Sequence, residues 1–288
     1  MFGMGCTLGV GDFARVFRKP DGLVLGLALQ LVVMPFVAVA FASLFGLEKG
    51  WAVGLMLVAA LPGGALSNLL TFVGRGHVPL CIALTTASTL GAIVTVPVML
   101  SLMARAFLPR EFSFPVERAV REMFFYLLLP LAAGMLLRRL QRGRADAVAP
   151  WAIRGSLIVV AIIAVGALGS GRIRIEEYGW RPPLVILAYG LSSVVVVPQL
   201  CRLLRRYDDE TVALTVQTAL RNIGIGLLLV RFFFPGEVFQ AHILYTCLFY
   251  AGMQLCLALP IILRHRVGRG SAMFWPARPR PSSLELTE

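Results

Sequence analysis

Acidic residues are scarce in this sequence: 15 Asp and Glu stand against 27 Lys and Arg, a formal charge of +12. None of the acids falls inside the long apolar blocks that make up most of the chain. Their absence argues against an intramembrane aspartyl protease and against a carboxylate proton relay. There are three histidines and no HExxH, so zinc-protease chemistry has no footing. The five cysteines, Cys6, Cys81, Cys201, Cys247 and Cys256, lie in or beside apolar stretches. They form no CxxC pair or metal-ligand spacing, and they read as small packing residues with no disulfide. No basic run carries the interleaved aromatics of a nucleic-acid groove, so the excess of arginine is assigned to the flanks of membrane spans. Residues 1–10 are apolar but lack a basic n-region and a cleavage site, which argues against a cleavable signal peptide. Gly169–Ser170–Gly171 invites a serine-hydrolase reading, but Ser170 sits at the end of an apolar block and no acid–base partner accompanies it.

What is present is hydrophobic length. The chain is 58% hydrophobic with a mean hydropathy of +0.81, against about 45–50% apolar in a soluble domain. Runs of about 18 or more apolar residues read as membrane-spanning helices. Eight full spans are predicted near 22–46, 51–74, 79–107, 121–140, 152–171, 182–204, 209–233 and 236–263, with short connections punctuated by Pro and Gly. The fold class is therefore an all-α polytopic membrane protein, with a transmembrane domain over 1–263. The tail, 264–288, is Pro-, Arg- and Ser-rich and is expected to be a disordered basic extension. Ten residues of helix rise about 15 Å, half a bilayer, so the first apolar segment is expected to be a half-helix or the remnant of a span that begins upstream. Seventeen basic residues fall on the side of loop 11–21 and the tail, and nine on the other. The C-terminus is therefore expected on the cytoplasmic side, in a plasma (inner) membrane.

Two spans are interrupted. In GLMLVAALPGGALSNLLTFVG, Pro62, Gly63 and Gly64 fall near the centre, where proline removes a helix hydrogen bond and glycine weakens the helix. Ser67 and Asn68 follow at the positive end of the second half-helix. In VALTVQTALRNIGIGLLLV, Gln217, Arg221 and Asn222 lie together and Gly224 follows closely. A broken helix at membrane depth is tolerated where it lines a cavity, and it points to a transporter binding site. The two interrupted spans are five apart and so cross in opposite senses, as an inverted repeat of spans 1–3 and 6–8 requires. The mid-membrane polar residues are Gln30, Ser67, Asn68, Thr85, Gln217, Arg221 and Asn222. Arg221 is the sharpest of them. An arginine at the bilayer centre costs about 3 kcal/mol or more unless paired or hydrated, so it marks either a functional site or a structural arginine held by backbone carbonyls.

At these residues the chain resembles the bile acid:sodium symporter family. GMGCTL, ALQLVVMPF, LPGGALSNLLTFVGRG, IALTTASTL and ALRNIGIG carry the likeness across nearly the whole length. The resemblance implies ten helices in two inverted repeats, with two broken, crossing helices in a core domain and a panel domain packed against it. On that reading the first one and a half helices are missing here and the panel is incomplete. It also implies uptake of organic anions with sodium bound behind the crossing. Ser67, Asn68 and Thr85 match ion ligands, and Gln30 matches a ligand on the preceding span. Three positions depart: Cys81 stands where serine is usual, Gln217 replaces a glutamate shared by both ion sites, and Arg221 replaces a glutamine ligand. The expected function is secondary transport of a small organic anion across the lipid bilayer by alternating access. Sodium coupling would be weak or absent, because Arg221 takes the place of a bound cation and Ser67, Asn68 and Thr85 leave only a weak sodium site. The competing reading is a transport-inactive relative that serves as a membrane sensor or scaffold. The sequence leaves the substrate and the oligomeric state open.

Overall fold

The structure is a computed structural model and describes residues 2–7, 20–107, 116–169, 178–234 and 237–267. Among these residues twelve helices can be followed, and there is no strand beyond isolated bridge residues, among them the pair Gly63 and Arg221. A short helix, α1 (Phe2–Thr7), precedes α2 (Pro20–Leu44). The first broken span is α3 (Lys49–Ala60) and α4 (Ala65–Val73). The long α5 (Val78–Phe107) leads to α6 (Val116–Met123), α7 (Leu129–Leu140) and α8 (Arg142–Gly169). Then come α9 (Arg181–Leu203), the second broken span α10 (Asp208–Ala219) and α11 (Ile223–Phe233), and α12 (Glu237–Val267). Among the described residues, four stretches are long and apolar enough to cross a membrane unbroken: Pro20–Leu44, Val78–Leu102, Arg181–Leu203 and Val238–Leu263. The final helix continues to Val267, and the rest of the expected tail, 268–288, lies outside the described residues.

Each break has a local cause. The residue before a proline is pushed out of the helical region, and Leu61, just ahead of Pro62, has φ −62° and ψ 144°. The second break contains neither Pro nor Gly. Leu220 (φ −98°, ψ 101°) and Asn222 (φ −81°, ψ 80°) leave the helix because the other break supplies their hydrogen bonds. The Gly64 N–H donates to the Leu220 carbonyl at 3.0 Å, and the Asn222 N–H donates to the Pro62 carbonyl at 2.9 Å. The two extended stretches thus pair antiparallel at Gly63 and Arg221, which satisfies backbone groups that water cannot reach. Gly224 was expected in this break, but it sits in the first turn of α11, two residues past Asn222.

Two π-helical turns, Leu29–Val33 and Phe124–Leu128, each end two residues before a proline, Pro35 or Pro130. Widening the turn relieves the clash of a proline ring with the preceding carbonyls. The larger core packs α3 against α12, with α9 and α11 alongside. Away from it, α1 lies against α7 and α8. Gly5 and Gly134 let the α1 and α7 backbones touch: a Cβ on Gly134 would fall 2.7 Å from the Cys6 nitrogen. Gly134→Ala is expected to lower stability by about 2 kcal/mol, seen as a lower thermal midpoint of the purified protein. An unchanged midpoint would mean that the two helices separate without cost.

Candidate functional site

Five of the sequence-identified residues meet in one cluster beside the crossing. Ser67 and Asn68 come from the first turn of α4, Cys81 and Thr85 from α5, and Gln217 from the last turn of α10. Ser67, Cys81, Thr85 and Gln217 are almost completely buried. The Ser67 hydroxyl lies against the Gln217 Oε1 and also 2.6 Å from the Gly64 carbonyl. The Thr85 hydroxyl lies 3.0 Å from the same Gln217 oxygen, 3.1 Å from Asn68 Oδ1 and 2.9 Å from the Cys81 carbonyl. Each hydroxyl has one proton to donate, so two protons face more oxygens than they can serve. Oxygen-rich clustering of this kind is what a hard cation takes as ligands. No carboxylate takes part, and the Cys81 sulfur, 3.4 Å from Gln217 Oε1, is a soft donor in the set. Thr71, one turn after Ser67, donates to the Cys81 sulfur at 3.2 Å and closes the cluster. Among the described residues no group of His, Cys, Asp and Glu could hold a metal ion.

Gln217 reaches this cluster by passing directly over Gly63, where any Cβ would collide with its amide. That close approach gives Gly63 its role. Gly64 has ordinary space around it and serves through its extended backbone.

Arg221 and Gln30 form a second cluster. The Arg221 guanidinium is buried, with 2% of the residue exposed, and its Nη1 donates to the Leu61 carbonyl at 2.9 Å. Gln30, placed by the π turn of α2, donates to the same carbonyl at 3.4 Å. Leu61 is the residue whose helical acceptor role the Pro62 break removes, so a cation now covers the freed carbonyl. The Arg221 N–H donates to Gln254 Oε1 at 2.9 Å. The phenols of Tyr189 (α9) and Tyr250 (α12) stand against the guanidinium, and Tyr250 donates its own proton to the Ala219 carbonyl at 3.0 Å. Among the described residues, Nε and Nη2 of Arg221, Oε1 of Gln30 and the Tyr189 hydroxyl have no hydrogen-bond partner. Sequence reasoning missed Thr71, Tyr189 and Tyr250. The signal for the two tyrosines was a polar tip carried deep inside an apolar span.

Asn222 faces elsewhere. Its side chain turns towards α1, with Nδ2 3.9 Å from the Met4 sulfur.

Electrostatically the crossing is polarised. The C-terminal ends of α3 and α10 meet there, as do the N-terminal ends of α4 and α11. Each end carries roughly half an elementary charge, negative at a C-terminus and positive at an N-terminus. The two C-terminal ends together offset about one positive charge, and one guanidinium supplies it.

A broken, crossing pair of helices with a polar cluster against it is one part of the architecture that the sequence resemblance implied. The profile of the Sodium Bile acid symporter family matches residues 1–170. The chain belongs to that family. It is 32% identical over 231 residues to "Uncharacterized sodium-dependent transporter YocS" of Bacillus subtilis, covering 78% of this chain and 69% of that protein. It is 29% identical over 262 residues to "Sodium/bile acid cotransporter 4" of Mus musculus, covering 85% of this chain and 58% of that protein. "Probable sodium/metabolite cotransporter BASS1, chloroplastic" of Arabidopsis thaliana is 27% identical over 229 residues, covering 80% and 56%. The chain thus spans little more than half the length of the latter two. Membership makes it an integral membrane protein of a transporter family and sets the enzyme readings aside.

Proposed function

We propose that the protein is a secondary transporter of a small organic anion, working by alternating access with weak or absent sodium coupling, and that Arg221 stands in for a bound cation. The observation that carries the reading is the Arg221 guanidinium seated on the Leu61 carbonyl next to Gln30. The resemblance puts an ion-ligating glutamine at that position. With Gln217 neutral, the two clusters at the crossing together hold one fixed positive charge, that of Arg221, and no carboxylate to offset a second. Two like charges about 4 Å apart repel by about 4 kcal/mol at an effective dielectric of 20. Ser67, Asn68 and Thr85 keep oxygen ligands for sodium but no charge, so binding there is weak. Away from that cluster, the positive end of α11 and the amide of Asn222, its N-cap residue, offer an anion its charge complement.

The same reading takes the two broken spans as the middle members of an inverted repeat, with the other helices of the large core around them. It takes α1, α7 and α8 as the panel, and Asn222 and Met4 as facing across the space between. The C-terminus is cytoplasmic in an inner membrane. The cargo class comes from the family's named members, which include bile acid and metabolite cotransporters, together with the fixed positive charge.

The test is thermal stability of the purified protein titrated with sodium chloride against potassium chloride at matched ionic strength, followed by uptake of carboxylates into proteoliposomes. A ligand that binds only the folded state stabilises it by RT ln(1 + [L]/Kd). The expected result is no sodium-selective shift, with uptake that proceeds without a sodium gradient. A selective rise in sodium would show that the oxygen cluster is a working ion site and overturn the charge argument. Failure to move any carboxylate under either gradient would favour the sensor or scaffold reading.

A further inference from the structure

The turn between α7 and α8 is an exposed, strongly basic surface. Arg138 and Arg139 close α7, Arg142 and Arg144 open α8, and Arg154 lies three turns further along. Asp146 is the one acid between positions 138 and 154. It is taken up by Arg138, whose Nη1 lies 2.8 Å from its carboxylate and also donates to the Cys6 carbonyl at 2.9 Å. Arg139, Arg142 and Arg144 are exposed and have no acidic partner among the described residues. The first turn of α8 has no acid at all.

Large apolar side chains are exposed at this same end: Leu136, Leu140, Val148 and Trp151, the last 71% exposed. The guanidinium of Arg154 lies 5.4 Å over the Trp151 ring. Exposed tryptophan beside exposed arginine, on a helix pair that continues into apolar spans, marks the depth of lipid headgroups. A cytosolic docking face would not leave leucine and tryptophan bare around its charges.

We propose that this hairpin is a binding site for the phosphodiester of anionic phospholipids. The guanidiniums of Arg139, Arg142 and Arg144 would grip the headgroup oxygens, while Leu140 and Trp151 lie along the acyl chains. Arginine suits the role because its planar fork meets phosphate oxygens in pairs. The charge balance suits the cytoplasmic leaflet, where anionic lipids attract basic segments next to membrane spans. Arg138 extends the consequence: it ties the end of α1 to the hairpin, so a lipid that holds the hairpin holds α1 as well.

The test compares the purified full chain with Arg139→Gln/Arg142→Gln/Arg144→Gln, in detergent with added phosphatidylglycerol, phosphatidylcholine or inorganic phosphate, read by thermal midpoint and by native mass spectrometry of bound lipid. Phosphatidylglycerol is expected to raise the midpoint of the parent by about 4 °C, the effect shrinking as salt rises, with no matching rise from the other two. The triple glutamine variant should keep the parent's basal midpoint and lose most of the shift and of the retained lipid. The triple lysine variant at the same positions should recover part of both, which keeps the test open if the glutamine variant folds poorly. Equal shifts from phosphatidylcholine, or a full shift in the glutamine variant, overturn the proposal. Reproduction of the shift by inorganic phosphate alone also overturns it, in favour of a free-phosphate site.

Discussion

In the double variant Gln217→Glu/Arg221→Gln, sodium is expected to raise the thermal midpoint where the parent shows no selective response. The pair restores a carboxylate beside Ser67 and Thr85 and removes the fixed guanidinium from the Leu61 carbonyl. The freed site would hold the Leu61 carbonyl, the Gln30 amide oxygen and the new amide. A site of that composition, loaded at a hundred times its Kd, contributes about 2.7 kcal/mol, a shift of several degrees for a chain of this size. Potassium at matched ionic strength is the control. If sodium and potassium act alike on the double variant, Arg221 is not occupying a cation site.

Replacing Arg221 alone should be the most damaging single change in the protein. Arg221→Met removes the charge that the two negative helix ends surround and leaves the Leu61 carbonyl with the 3.4 Å contact from Gln30 alone. A buried acceptor stripped of its charged partner costs about 3 kcal/mol, so a marked fall in thermal midpoint is expected together with loss of uptake. Arg221→Lys separates charge from geometry. An ammonium keeps the positive charge but cannot bond the carbonyl and face both phenols as a planar fork can. If charge is what the site needs, the lysine variant retains a measurable fraction of uptake, whereas the methionine variant retains none. Equal uptake by both variants would mean that Arg221 serves packing only.

Much of this architecture is written in the pattern of residues. Pro62–Gly63–Gly64 announces its break because proline acts locally on the residue before it. Arg221 stands out because nothing apolar surrounds a charge without cause. The second break is harder to read. Leu220, Arg221 and Asn222 have ordinary propensities and unwind because the first break offers them hydrogen bonds, a tertiary effect invisible in the local sequence. That is why Gly224 was taken for part of the break although it lies within α11. The convergence of Gln30 and Arg221 on one carbonyl was also hidden, since it depends on a π turn that rotates Gln30 into place. Cys81 was readable as a substitution at the cluster, but the part played by Thr71 was not, because it appears only once α4 and α5 are packed together.

The paired backbone at Gly63 and Arg221 acts as a mechanical rivet. Two hydrogen bonds, Gly64 to Leu220 and Asn222 to Pro62, fasten the broken spans where each is weakest. Neither span can shift along its axis without dragging the other, so the crossing is a poor place for a hinge. Relative motion meets less resistance at an aliphatic seam such as the one where Met4 and Leu131 rest against Ile82 and Leu90. Flexible and aliphatic surfaces of that kind slide past one another with little penalty. A stiff joint therefore stands at the crossing, with a sliding aliphatic seam beside it.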